Sequence, residues 1–274
     1  MNPFEILKLT PKTNCGQCGH PACLAFSAAV AKSGEDPGKC PYLDLTGLKI
    51  TPPAGVALDQ LSRERDLQLI QHLKEKVAPL NFAEIAAGLG AEYRSDEPDR
   101  LSLAYLGQAV TLIKNKGIVI NGVEPEDPRD QILLYNFVHS RGGAAPNRDW
   151  VGLESLPNSI SKVKTLATYG ENRLAELFAR TENDKIIAAC SQLGGREAPE
   201  STATLGIVVE VLPRIPQYIL YWAAEAEEGF AAKVKILFDR EVMNFLDLES
   251  LVFSAERMAD KIAELLGDFE QAPF

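Results

Sequence analysis

The chain has 274 residues, 46% hydrophobic and 24% charged, with a formal net charge of −10. That length buries a substantial core as one large domain or two smaller ones. The acidic balance excludes general binding to nucleic acid or anionic membranes, and no apolar run is long enough to span a bilayer.

The start, "MNPFEILKLTPK", carries Glu5 and no long apolar core, so it does not read as a secretory signal. The expected location is the cytoplasm, where clustered cysteines hold metals more often than they form disulfides.

The stretch "NCGQCGHPAC" holds three of the five cysteines. Cys15, Cys18, Cys23 and Cys40 are spaced C-x2-C-x4-C-x16-C, and Pro41 follows the last. Zinc more usually shows two C-x2-C pairs or cysteines completed by histidine. A redox dithiol needs only Cys15 and Cys18. A cubane iron–sulfur cluster needs four thiolates, commonly three close together and one remote. The spacing favours the cubane over zinc and a dithiol. Gly16 and Gly19 let the backbone wrap and turn N–H groups toward sulfur. Pro21 suits a helix start, and "ACLAFSAAVAKSG" continues with good helix formers up to Gly34. Cys23 then lies in the first turn, where free N–H groups favour negative charge. Phe26 and Val30 share its face and shield it from water. His20 reads as an exposed loop histidine rather than a group that tunes the cluster. Cys190, in "KIIAACSQLGG", reads as a buried structural thiol.

This segment resembles the small [4Fe-4S] domain that opens the large subunit of the corrinoid iron–sulfur protein. It is also similar to the corresponding domain of Rnf-type electron-transport complexes, in their B component, and of reductive activators of corrinoid enzymes. The resemblance covers roughly residues 5–45 and implies a [4Fe-4S] cluster on Cys15, Cys18, Cys23 and Cys40. Ser27 departs from the family's Phe-Ala pair after Cys23, with no expected effect on ligation.

Residues 1–47 are expected to form the cluster-binding lobe, 48–60 a linker marked by Pro52, Pro53 and Gly55, and 61–274 an α+β domain. "LSRERDLQLIQHLKEKVAPL" predicts an amphipathic helix with Leu67, Ile70, Leu73 and Val77 on one side. "NFAEIAAGLGAEY" predicts a second helix capped by Asn81, with Glu84 three residues on. "RLSLAYLGQAVTLIKNKGIVING" gives short strands, and "DPRDQILLYNFVHSRGG" a helix that stops at Gly142-Gly143. A related order follows. "ENRLAELFART" and "DKIIAACSQLGGRE" are helices, "ATLGIVVEVLP", "QYILYWAAE" and "KVKILFD" are strands, and "DLESLVFSAERMADKIAELLG" closes as a helix. The pattern predicts a diverged tandem α+β repeat. "HSRGGAAPNRDWVGLESLPNS", with Arg141, Arg148 and Trp150, is a long loop connecting the halves. Glu225, Glu227 and Glu228 read as a solvated acidic turn between two strands. His72 reads as solvated, and His139 as a helix-end histidine.

The second region is similar to the family called domain of unknown function 3786, found mainly in anaerobic microbes. The similarity rests on "ILLYNFV", "WVGLESLPNS", "LYWAAEAEEGF" and "VKILFDREVMNFLDLESL", spans roughly 60–270, and implies no established activity. No nucleophile elbow, P-loop, dinucleotide fingerprint or H-E-x-x-H motif is present. The leading expectation is one-electron transfer to or from a redox partner protein. One alternative is an enzyme or activator whose second domain binds a small molecule or corrinoid that the cluster reduces. The other is a redox-sensing scaffold.

Overall fold

The computed structural model describes residues 3–20, 22–33, 35–43, 55–198, 202–225 and 229–268. Pro21, Gly34, Glu227, Glu228 and most of the expected linker lie outside the described residues. The chain is α+β and divides into two compact units, residues 1–66 and 67–274.

The first unit contains helices α1 (Pro3–Leu9) and α2 (Cys23–Ser33) and a 3-10 turn over Pro37–Lys39. Among the described residues its core is small: Ile6, Phe26, Val30, Cys40 and Leu43 are buried together, with Leu9, Cys18 and Ala31 packed against them. So few apolar side chains stabilise a lobe weakly without a further link. Phe26 and Val30, expected on the inner face of α2, are both buried.

Helix α3 (Gly55–Val77) begins six residues before the expected start, since Val56 to Gln60 hold no breaker once Pro53 is passed. Ile70, Leu73 and Val77 are buried as the periodicity requires, but Leu67 is 61% exposed. Leu67 thus departs from the expected apolar stripe, which starts one turn later.

Helix α4 (Phe82–Leu89) starts at Asn81, whose Oδ1 accepts the Ala83 N–H at 3.1 Å while its amide reaches Glu84 at 2.7 Å. It ends at Gly90, whose φ of 69° lets its N–H reach the last carbonyls. Strands β1 (Glu92–Tyr93), β2 (Arg100–Tyr105), β3 (Gln108–Ile113) and β4 (Gly117–Ile120) follow as an antiparallel meander in spatial order β1-β2-β3-β4. Alternating residues pair across it, Leu101 opposite Leu112 and Leu103 opposite Val110. Helix α5 (Pro128–His139) is capped by Asp127 and started by Pro128.

The second half has the same succession. Helix α6 (Ile160–Leu166), a π-helical turn over Ala167–Glu171 and α7 (Asn172–Ala179) run on continuously. Before them lies β5 (Trp150–Gly152). Helix α8 (Asn183–Gln192), strands β6 (Arg196–Glu197), β7 (Leu205–Leu212), β8 (Ile215–Trp222) and β9 (Lys233–Asp239), and helix α9 (Leu248–Leu265) come after. Asp247 caps α9 by accepting the Ser250 N–H at 2.8 Å. Helix, short strand, three-stranded meander, helix therefore occurs twice, as α4-β1-β2-β3-β4-α5 and α8-β6-β7-β8-β9-α9.

The expected long loop after α5 is partly ordered as a strand. It contains β5, which pairs with the edge of β9, so the second sheet runs β5-β9-β8-β7-β6. Trp150 rests on Tyr218 at 5.2 Å, and the Arg148 N–H donates to the buried Asp239 carboxylate at 2.6 Å. These contacts hold the segment against the sheet.

The two hairpin tips are exchanged between the halves. The β2–β3 turn, Leu106-Gly107, has positive φ at both residues, as a tight hairpin requires. The Leu106 N–H donates to the Val211 carbonyl at 2.9 Å, and a Cβ on Gly107 would stand 2.5 Å from the Gln192 carbonyl oxygen at the end of α8. Reciprocally, the β7–β8 turn sends Arg214 Nη2 to the Ala87 carbonyl, 2.8 Å away near the end of α4. One continuous core results, including Leu101, Leu133, Phe137, Phe178, Phe238 and Met258. Burying each such side chain stabilises by about 1.5–3 kcal/mol.

Candidate functional site

All four candidate ligands lie in the first unit, and each is a free thiol. Cys15 is exposed, Cys18 half-buried, and Cys23 and Cys40 buried. The loop that carries the first two turns through positive φ at Asn14, Gly16 and Gly19, and the Gly19 N–H closes onto the Gly16 carbonyl at 2.9 Å. Asn14 organises this loop and is not among the residues expected from sequence: its Oδ1 accepts the Cys23 N–H at 2.9 Å, across the whole cysteine loop. The signal for it is an Asn just before the first cysteine, a residue that tolerates left-handed backbone and caps helices. Ser27 donates to the Cys23 carbonyl at 2.7 Å, one turn back along α2. The Gln17 backbone N–H, and next the Thr13 hydroxyl, hydrogen-bond the Cys15 sulfur and hold its thiol below the ordinary range.

Cys40 is delivered by the 3-10 turn. Asp36 caps that turn, its Oδ1 accepting the Gly38 N–H at 2.8 Å, and the Cys40 N–H donates to the Pro37 carbonyl at 3.3 Å. Cys40 and Cys18 share the same small core. His20 is not a free surface group: its Nε2 lies 2.7 Å from Glu35 Oε2, and Lys39 Nζ lies 2.8 Å from Glu35 Oε1. Hydrogen bonds from Lys39 first and His20 second hold the Glu35 carboxyl below its usual range.

The donor set fits an iron–sulfur cluster in its chemistry, with four unpaired thiols on one lobe, glycine turns beside two of them and a helix N-terminus at the third. The side chains are not gathered into a closed shell: among the described residues, no group of three or more His, Cys, Asp or Glu stands close enough to hold a metal ion. Cys190 belongs to the second unit, where it is fully buried, and burial pushes its thiol up to about 12.

The second unit has a cleft of about 910 Å³ between α5, α9, the π-helical turn and the β2–β4 meander. At its floor Arg257 forks Asp130, and the Tyr105 hydroxyl donates to Asp130 Oδ1 at 2.8 Å. Arg257 also reaches Asp260 at 3.1 Å, which in turn pairs with Arg173. Burial alone would lower the Arg257 pKa, but the Asp130 carboxylate more than reverses this. Burial, then the neighbouring Asp260 charge, raises the Glu256 carboxyl. Nine carboxylates and four cations line the cleft, an acidic excess that disfavours ligands of net negative charge. Apart from Asp127, whose place before Pro128 marks a helix cap, none of these residues is singled out by sequence, because the fold alone brings them together. Of the second-unit residues that sequence does single out, Glu225 bridges to Phe230, and His72 and His139 are exposed, all outside the cleft lining.

Among the described residues no helix is long and apolar enough to cross a membrane. Residues 11–42 match the family described as "Putative Fe-S cluster". Over 40 residues the chain is 49% identical to the corrinoid/iron-sulfur protein large subunit of Moorella thermoacetica, covering 15% of this chain and 9% of that protein. Over 86 residues it is 49% identical to the B component of the ion-translocating oxidoreductase complex of Alcanivorax borkumensis, 30% of this chain and 37% of that one. Over 44 residues it is 39% identical to the gamma component of the acetyl-CoA decarbonylase/synthase complex of Methanocaldococcus jannaschii, 16% of this chain and 9% of the other. The chain thus spans well under half the length of these curated relatives. The likeness supports an iron–sulfur cofactor for the first lobe. No solved structure matches the chain significantly. Residues 81–261, about two-thirds of the chain and nearly all of the second unit, match the domain of unknown function DUF3786, and the chain belongs to that family.

Proposed function

We propose that the first lobe binds one [4Fe-4S] cluster on Cys15, Cys18, Cys23 and Cys40 and exchanges single electrons with a partner protein. The observation that carries this reading is the coincidence of four free thiols with the segment that matches an iron–sulfur family. Bound there, such a cluster supplies a one-electron couple whose potential follows burial and hydrogen bonding to sulfur. The chain's own residues shape that environment. Phe26 and Val30 exclude water from the inner side, while exposed Cys15 leaves the outer side open to a partner. The relatives named above are components of complexes, which supports a protein partner.

The test is anaerobic purification of the full chain with iron and sulfide analysis and EPR of the dithionite-reduced protein. About four iron per chain and a reduced-state signal are expected. A colourless protein carrying zinc would overturn the reading.

The cleft in the second unit favours a second reading, in which that unit binds a small molecule that the cluster reduces. Its volume suits a drug-sized ligand, and its acidic lining suits a neutral or cationic one. Titration with cobalamin, followed by absorbance and thermal shift, tests the corrinoid form of this idea; no change in either removes it.

A further inference from the structure

Glu35 stands between the two cysteine-bearing segments of the first lobe. His20 belongs to the loop that carries Cys15, Cys18 and Cys23, while Lys39 directly precedes Cys40. One Glu35 oxygen meets His20 Nε2 at 2.7 Å and the other meets Lys39 Nζ at 2.8 Å. The Glu35 N–H is itself tied to the Ala29 carbonyl of α2 at 3.4 Å. The His20 ring leans on Phe26 at 5.8 Å, and Phe26 is fully buried. Glu35 is therefore fixed at its backbone and bridged at both oxygens, with a packed aromatic behind one partner. An isolated surface ion pair has none of this support and contributes little.

We propose that His20, Glu35 and Lys39 form a positioning clasp that holds the Cys40 turn in register with the three-cysteine loop. The inference rests on the reading of these cysteines as cluster ligands. Among the described residues the core adds a link between the two segments through Cys18, which packs against the group that contains Cys40. A carboxylate with two oxygens is suited to join two donors from different loops in a fixed geometry. Its geometry, more than its charge, does the positioning: in the isosteric amide the remaining oxygen still accepts from Lys39 and the NH2 group pairs with His20 by donating to a neutral Nε2, so most of the effect is retained.

The experiment compares Glu35→Ala and Glu35→Gln with the unaltered full chain. Two quantities are measured: the rate of iron loss to a ferrous chelator under anaerobic conditions, and hydrogen exchange of residues 15–23 and 35–43 in the full chain as purified anaerobically. Glu35→Ala is expected to lose iron about fivefold faster and to exchange faster in both segments, while Glu35→Gln stays within about twofold of the parent. Faster exchange confined to 35–43 would mean a purely local role and would overturn the clasp. So would equal iron-loss rates in Ala and Gln, which would point to net charge instead. If the unaltered chain holds no iron–sulfur cluster, the ligand assignment falls, and hydrogen exchange in the same protein still decides whether the two segments are coupled. If it holds one and Glu35→Ala behaves as the parent, only the clasp falls.

Discussion

Arg257 holds both oxygens of Asp130, Nε to Oδ1 at 2.8 Å and Nη2 to Oδ2 at 2.7 Å, and so joins α9 to α5 across 127 residues of sequence. Both residues are more than nine-tenths buried. Removing Arg257 leaves the buried Asp130 charge without its counter-ion, so Arg257→Met should destabilise the second unit by about 3–5 kcal/mol, and Asp130→Leu by less, because Asp260 still pairs with Arg257. The double variant should cost clearly less than the sum, because neither charge is then stranded. Urea unfolding of the four proteins measures the cycle, and strict additivity would contradict the coupling.

The cysteines should differ sharply in reactivity. In the metal-free protein, iodoacetamide at about pH 7.5 should modify Cys15 first, since it is exposed and its thiol is held below the ordinary range. Cys190 should stay unmodified until the chain unfolds. Peptide mass mapping over time reads the order, and early labelling of Cys190 would contradict its burial.

Cys190 also gives an alkaline signature. Its pKa is raised from 9.0 to about 12 in the folded chain. Its contribution to stability is therefore full below pH 9.0 and is lost as the pH climbs toward 12. The slope is about 1.4 kcal/mol per pH unit for one such group. Tyr135, raised to about 12 by burial and then by Glu124, adds loss at the upper end of the same range. Cys190→Ala should flatten the stability curve between about pH 9 and 11 by one such slope. A curve parallel to the parent's would refute the assignment.

Gly107 and Gly122 make a matched pair. Both have positive φ, 74° and 83°. A Cβ on Gly122 meets nothing within 4 Å, whereas one on Gly107 meets backbone atoms of Gln192 and Leu193. Gly122→Ala should cost about 1 kcal/mol for the backbone alone. Gly107→Ala should cost distinctly more, because the hairpin tip must back away from α8. Equal shifts in the urea midpoint would show that this contact is soft.

Cys18→Ala should abolish the reduced-state EPR signal and loosen the first lobe, since ligation supplies folding energy that its small core lacks. The melting of the second unit should be unchanged. Retention of a full cluster would show that the ligand set is wrong.

Local chemistry was legible in the sequence wherever it acts through neighbours along the chain. Asn81, Asp127 and Asp247 cap the helices that their positions announced, and the alternation in "RLSLAYLGQAVTLI" marks β2 and β3. The cysteine spacing marked the candidate ligands for the same reason. Pairings between distant residues left no such trace. Trp150 belongs to a strand only because β9 lies beside it, and a three-residue segment rich in neither alternation nor β-branching looks like loop. The π-helical turn at Ala167–Glu171 is likewise set by tertiary contacts: Glu171 turns inward to accept the Ile236 N–H at 3.1 Å. Arg257 sits in a helix whose other inward residues are mostly apolar, so its burial is not visible without Asp130.

The pairing of β5 with β9 also bears on how the chain matures. Every other described strand pairs with a neighbour in sequence, so most of both sheets can assemble as soon as each hairpin is made. The edge at Trp150 has to wait until Asp239 has left the ribosome. During that interval the Trp150 segment is a strand without its mate, and this is the moment at which a chaperone has most to protect.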